Sequence, residues 1–152
     1  MRTFHSRNTE HDVARTAKSA RAAAVLTWVY AAGFGVPAVP VAIYLNERGT
    51  LPEFMGLFPM YGGPWSSRLP DDTVVLLLIA FLLVALIVAW SARLVWKGSR
   101  AGLVLNLALL PVEAVFWIGF ALPIPWVVGV ARAGLVASAW KWHAGRQERT
   151  GT

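Results

Sequence analysis

Apolar residues fall into four long blocks along this chain, residues 22–45, 74–96, 101–122 and 124–142. Each holds about the 20 residues that a helix needs to cross a hydrocarbon core roughly 30 Å thick. None alternates apolar and polar with a period of two, so barrel strands are excluded; only helices remain to satisfy the backbone in lipid. The pattern predicts an all-α fold, an integral membrane bundle of four transmembrane helices. Its connections are a long aromatic-rich segment, residues 46–73, a turn at 97–100, and the "LPIP" corner between the third and fourth blocks. Tails of residues 1–21 and 143–152 flank the bundle.

Composition strengthens the picture. The chain is 57% hydrophobic and only 14% charged, against about 45–50% and ~25% in ordinary soluble domains. It has no cysteine, which excludes disulfides, thiolate metal sites and cysteine nucleophiles. A net charge of +6 first suggests nucleic acid, but the cations flank apolar blocks and form no basic, aromatic-interleaved surface. They read instead as orientation signals. Arg2, Arg7, Arg15, Lys18 and Arg21 precede the first block, Arg93, Lys97 and Arg100 surround the turn, and Lys141, Arg146 and Arg149 close the chain. The long connection has Arg48 and Arg68 against Glu47, Glu53, Asp71 and Asp72. Both termini are therefore expected on the cytoplasmic side of the inner (plasma) membrane, with residues 46–73 outside.

Trp28, Trp90, Trp96, Trp140 and Trp142 lie toward the predicted inner ends and Trp65 and Trp126 toward the outer side, as in an interfacial aromatic belt. Trp117 alone falls inside. The first block exceeds a signal-peptide h-region in length, so a retained anchor is expected. The tail before it reads as helical from Thr9, whose hydroxyl is placed to cap, with Asp12 three residues on. Within the first block, "GFGVPAVP" predicts a kink or local unwinding in the outer half.

Two charges interrupt the apolar pattern, Glu113 in the third block and Arg132 in the fourth. The corner between the blocks is too short for anything but an antiparallel hairpin. With its apex between Leu122 and Pro123, each charge is 9.5 residues away, about 14 Å at 1.5 Å per residue. Both then reach the bilayer midplane, where an isolated charge costs roughly 2.5–3.5 kcal/mol on insertion scales. An ion pair facing the bundle interior is the expected escape. It serves either to fix helix register or, if it opens, as a relay or anion site. Asn106 and Trp117 share the face of Glu113, and Pro111 loosens the helix between them. The same arithmetic about Gly98–Ser99 sets Ser91 level with Asn106, as supporting polar contacts.

Gly129, Ala133 and Ala137 recur every four residues, as do Gly134 and Ser138, a spacing that lets helix backbones approach closely, either against the first or third helix or against a second copy. In the long connection, Thr50 and Glu53 have capping-box spacing, and Phe54, Leu57, Phe58 and Tyr61 follow at helical spacing. A short helix lying at the interface or over the bundle is predicted. Asp71 and Asp72 are expected to cap the second span.

His5, His11 and His143 sit in the tails, and no triad, phosphate loop or carboxylate pair is visible. No catalytic site, cofactor or metal is expected, and no nucleic acid. Size and span number resemble those of the small multidrug resistance transporters, but their essential carboxylate lies in the first helix and here the first block has none. The expected role is structural, accessory or regulatory, through helix and loop contacts with the lipid bilayer, another copy or a larger membrane partner. The competing expectation is a small oligomeric transporter or channel using Glu113 and Arg132.

Overall fold

The computed structural model describes residues 18–150, so the predicted cap at Thr9 and the tail around it lie outside the described residues. Helix α1 runs Lys18–Arg48. A two-stranded hairpin follows, β1 Glu53–Phe54 and β2 Phe58–Pro59, then a short helix, α2 Pro64–Arg68. Helices α3 Asp71–Trp96, α4 Arg100–Gly119 and α5 Ile124–Thr150 complete the chain. Three of these, α1, α3 and α4, are long and apolar enough to cross a membrane, and α5 is apolar from Ile124 to Trp140.

Helix α3 shows why lipid is the natural surround. Its buried side reads Val74, Leu78, Phe81, Ala85, Val88, Ala92 and Val95, alternating steps of four and three. Its opposite side, with Leu76, Leu83, Leu86, Ile87 and Trp90, is exposed and just as apolar. A helix apolar all round has no aqueous face to present.

The four long helices meet at the basic end, where Ala23 and Ala24 of α1 pack with Ala92, Val95, Leu103, Val136 and Ala139. Small residues permit that approach. Gly102 is the tightest case, since a Cβ there would lie 2.6 Å from the Val95 backbone nitrogen. Toward the other end the core is built from α1, α3, the α4–α5 corner and the hairpin loop, and no described α5 residue joins it. The bundle therefore splays there.

Two features of α1 accompany the splay. Ala31–Gly35 forms a π-helical turn, and Pro37 and Pro40 follow, neither able to donate a backbone hydrogen bond. This is the local unwinding that "GFGVPAVP" predicts. Gly35 then brings α1 against α3, where a Cβ would lie 2.8 Å from the Ala85 methyl.

The connection departs from its predicted form. No helix begins at Thr50; Glu53 pairs with Pro59 and Phe54 with Phe58 in an antiparallel hairpin. Met55 and Gly56 both have positive φ, 52° and 72°, and the Leu57 amide donates to the Phe54 carbonyl at 2.9 Å. Three residues, 55–57, therefore separate the paired Phe54 and Phe58, and two successive left-handed positions reverse the chain. Pro59 would leave a helix from Glu53 without one of its backbone donors, and Gly56 takes the left-handed position at no steric cost. Asp71 and Asp72 also differ from expectation. Pro70 occupies the N-cap of α3 with no side-chain cap bond, and the two carboxylates sit in the first turn, where the dipole still favours them.

Candidate functional site

Polar side chains inside the bundle form two buried layers. The layer nearer the basic end joins three helices. Asn106 Nδ2 on α4 donates to Ser91 Oγ on α3 at 2.9 Å and to Thr27 Oγ1 on α1 at 3.5 Å. Both hydroxyls spend their own protons on backbone carbonyls one turn back, Ser91 on Val88 and Thr27 on Ala23, each at 2.7 Å. They therefore act as acceptors toward the amide. Replacing Asn106 with Val, nearer to it in volume than Leu, leaves both hydroxyls donating to their carbonyls, and loss of the amide bonds is expected to cost only about 0.5–1 kcal/mol. Unfolding in mixed detergent micelles reads this, and a loss several times larger would mean the node holds more than a pair of bonds.

The second layer contains the charges. Glu113 and Arg132 are 0% and 1% exposed, and Arg132 Nη2 donates to Glu113 Oε1. The corner differs slightly from expectation, because α4 stops at Gly119 and α5 starts at Ile124, a shift the equal-depth argument absorbs. Ala121, with φ 48°, reverses the chain. The ion pair is enclosed by aromatics: Arg132 Cζ lies 5.5 Å from the Tyr30 ring centroid, and Trp117 Nε1 donates to the Tyr30 hydroxyl at 2.7 Å. Tyr30, Glu113, Trp117 and Arg132 thus make one cluster from α1, α4 and α5.

Gly129 makes this cluster possible. A Cβ at that position would lie 2.5 Å from Trp117 Cη2, so the glycine receives an indole where close helix contact was expected. Beyond it the stripe leaves the face that packs within the chain. Ala133 is half-buried, and Ala137 is exposed with Gly134 and Ser138. Steps of four advance 400° around a helix, 40° past a full turn, and the drift carries Ala137 off the packed face. The face that packs is Pro125, Gly129, Arg132, Val136 and Ala139, which mixes steps of three and four.

Tyr30 and Thr27 are the members that sequence reading missed. Tyr30 is the one tyrosine well inside an apolar block, the only signal available, because depth arithmetic works across a short hairpin and α1 is not joined by one to α4 or α5.

Above the charged cluster, toward the hairpin, lies a cavity of about 480 Å³. Gly33, Phe34 and Pro37 form one wall, Phe58 and Tyr61 the roof, and Pro123 another side. Phe34 and Leu122 line it and also pack against the Tyr30–Trp117 cluster, so they separate cavity from ion pair. The roof is pinned by Tyr61, whose hydroxyl donates to the Phe34 carbonyl. Burial pushes this phenol above its ordinary range, which keeps it a donor. Among the described residues no three His, Asp or Glu side chains gather where they could hold a metal. No protein-family model, curated protein or solved structure matches the chain.

Proposed function

We propose that the protein is a four-span membrane protein with both termini cytoplasmic and an accessory or regulatory role exercised through contact. In this reading α5 is the fourth span, and its apolar length is extended to the interface by Trp140, Lys141 and Trp142. The observation that carries the contact role is the enclosure of Glu113 and Arg132, each at most 1% exposed and bonded to the other. Charges held this way fix helix register and leave the hairpin loop and the lipid-facing helices to do the work. The hairpin tip is suited to it: Met55 and Leu57 are 82% and 76% exposed on a turn whose backbone is fixed.

The test places a photo-crosslinking residue at Met55 in the full chain in its native membrane. A discrete protein adduct that disappears with Leu57→Ser is the expected result. Adducts to lipid alone, or none, would overturn the contact role. Reporter fusions at each terminus test the spans separately, and an external C-terminus would overturn the four-span reading.

A transporter is the second reading, favoured by one observation. Arg132 Nε has no hydrogen-bond partner among the described residues, so the pair is incompletely satisfied, and a cavity lies one aromatic layer away. Flux across reconstituted vesicles that Glu113→Gln abolishes would establish it in place of the first.

A further inference from the structure

At the basic end, α1 and α3 meet along a seam whose outer side faces away from the bundle. Arg21, Val25 and Trp28 stand on one face of α1 at steps of four and three; Ala89, Arg93 and Trp96 do so on α3. Trp28 stitches the two helices together, with Nε1 donating to the Ala89 carbonyl at 3.0 Å and its ring centroid 5.6 Å from that of Trp96. Arg21 lies over the Trp96 ring, Cζ to centroid 5.6 Å. Lys97 follows Trp96 and is exposed, as is Arg93. The seam is thus an aromatic shelf surrounded by cations.

Among the residues whose side chains are described, no opposite charge answers them locally. The sequence contains no Asp or Glu between residues 18 and 46, nor between 73 and 112. Toward the membrane middle the same faces are apolar and exposed, with Val25 at 47% and Leu86 at 57%. Cations on an indole shelf, continuing into an aliphatic groove, fit a molecule with an anionic head and a hydrocarbon tail. A soluble acidic protein would use the cations and leave the aliphatic groove uncovered.

We propose that the α1–α3 seam at Arg21, Arg93, Trp96 and Lys97 is a binding site for an anionic phospholipid, with the phosphate among the cations and an acyl chain along Val25 and Leu86. The site rests on the reading of α1 and α3 as membrane spans. Each Lys or Arg near an anionic lipid surface adds roughly a fivefold preference, so two of them together give about twenty-fivefold.

The experiment uses the purified full chain in neutral detergent, supplied with phosphatidylglycerol or with phosphatidylcholine of the same acyl chains. Native mass spectrometry reads retained lipid and thermal unfolding reads stabilisation. Phosphatidylglycerol is expected to be retained preferentially and to raise Tm more. Arg21→Gln with Lys97→Gln should lower that preference about twenty-fivefold, while Arg21→Lys with Lys97→Arg retains most of it. Equal retention of the two lipids by the wild-type chain, or an undiminished preference in the glutamine variant, would overturn the proposal. So would an equal rise in Tm from inorganic phosphate, which lacks the tail. If the glutamine variant does not fold, wild-type protein in 1 M salt takes its place: screening should reduce the preference, and no reduction would overturn it. The terminal fusions described above fail independently if the span reading is wrong.

Discussion

Replacing Glu113 with Gln is expected to destabilise the bundle by about 3–5 kcal/mol, because it leaves the Arg132 guanidinium buried without its counter-charge. Arg132→Met should cost a similar amount from the other side, stranding the carboxylate. The two losses come from one interaction and therefore should not add. Exchanging the residues, Glu113→Arg with Arg132→Glu, is expected to recover much of the loss. Recovery stays incomplete, because Trp117 and Tyr30 are arranged around a guanidinium on α5. Replacing both by Leu and Met should leave stability near or above that of the wild type, as for other buried pairs exchanged for apolar groups. Reversible unfolding in mixed micelles, run as a double-mutant cycle, checks this. With the double replacement near the wild type, the coupling approaches the sum of the two single losses, about 6–10 kcal/mol, and strictly additive losses would show that the pair does not hold the helices in register.

That pair was legible because a short corner converts sequence distance into depth. Glu113 and Arg132 lie on helices joined by four residues, Phe120 to Pro123, so counting from the corner fixes their levels with little freedom. Ser91 and Asn106 were legible for the same reason across the turn at Gly98, whose φ of 73° reverses the chain within three residues. The rule has no purchase on α1. Its link to α3 is a folded segment of more than twenty residues, and its π turn shifts the facing of everything beyond Ala31 relative to an ideal helix. Tyr30 and Thr27, which complete both polar layers, could not be placed by counting.

The hairpin loop illustrates a different limit. Phe54, Leu57, Phe58 and Tyr61 have helical spacing, but spacing records only which residues are apolar. The conformation was decided by Met55–Gly56 entering a left-handed turn, with Pro59 removing a donor that a helix there would need. The same aromatics then serve two purposes. Phe54 and Phe58 stack across the hairpin at 5.6 Å, and Tyr61 turns inward against Phe81 and Phe120. The small-residue stripe leaves the intrachain face for a geometric reason as well, since an exact four-residue period drifts off a straight helix face after two repeats.

Gly119→Ala should loosen this roof, and the sign of its effect is decisive. In a helix, Gly to Ala ordinarily stabilises by about 1 kcal/mol. Here a Cβ would run into the six-membered ring of Trp65. That indole packs edge-on against Phe116 and Phe120, with centroids 5.5 and 5.1 Å away. Neither a ring nor the helix beneath it can yield by a side-chain rotation alone without giving up those contacts. Overpacking of this kind costs about 1–3 kcal/mol, so the substitution is expected to destabilise despite its better helix propensity. The loss should appear as release of the roof. Tryptic cleavage after Arg68, which is exposed but held within α2, should accelerate about 5- to 150-fold for that range of opening free energy. Trp65→Leu removes the obstacle, and in that background Gly119→Ala should cost little. An equal cost in both backgrounds would mean that the glycine is required by the α4 terminus itself. Release of the roof without loss of the Glu113–Arg132 layer would divide the molecule into a fixed charged floor and a movable aromatic cover, with the cavity between them.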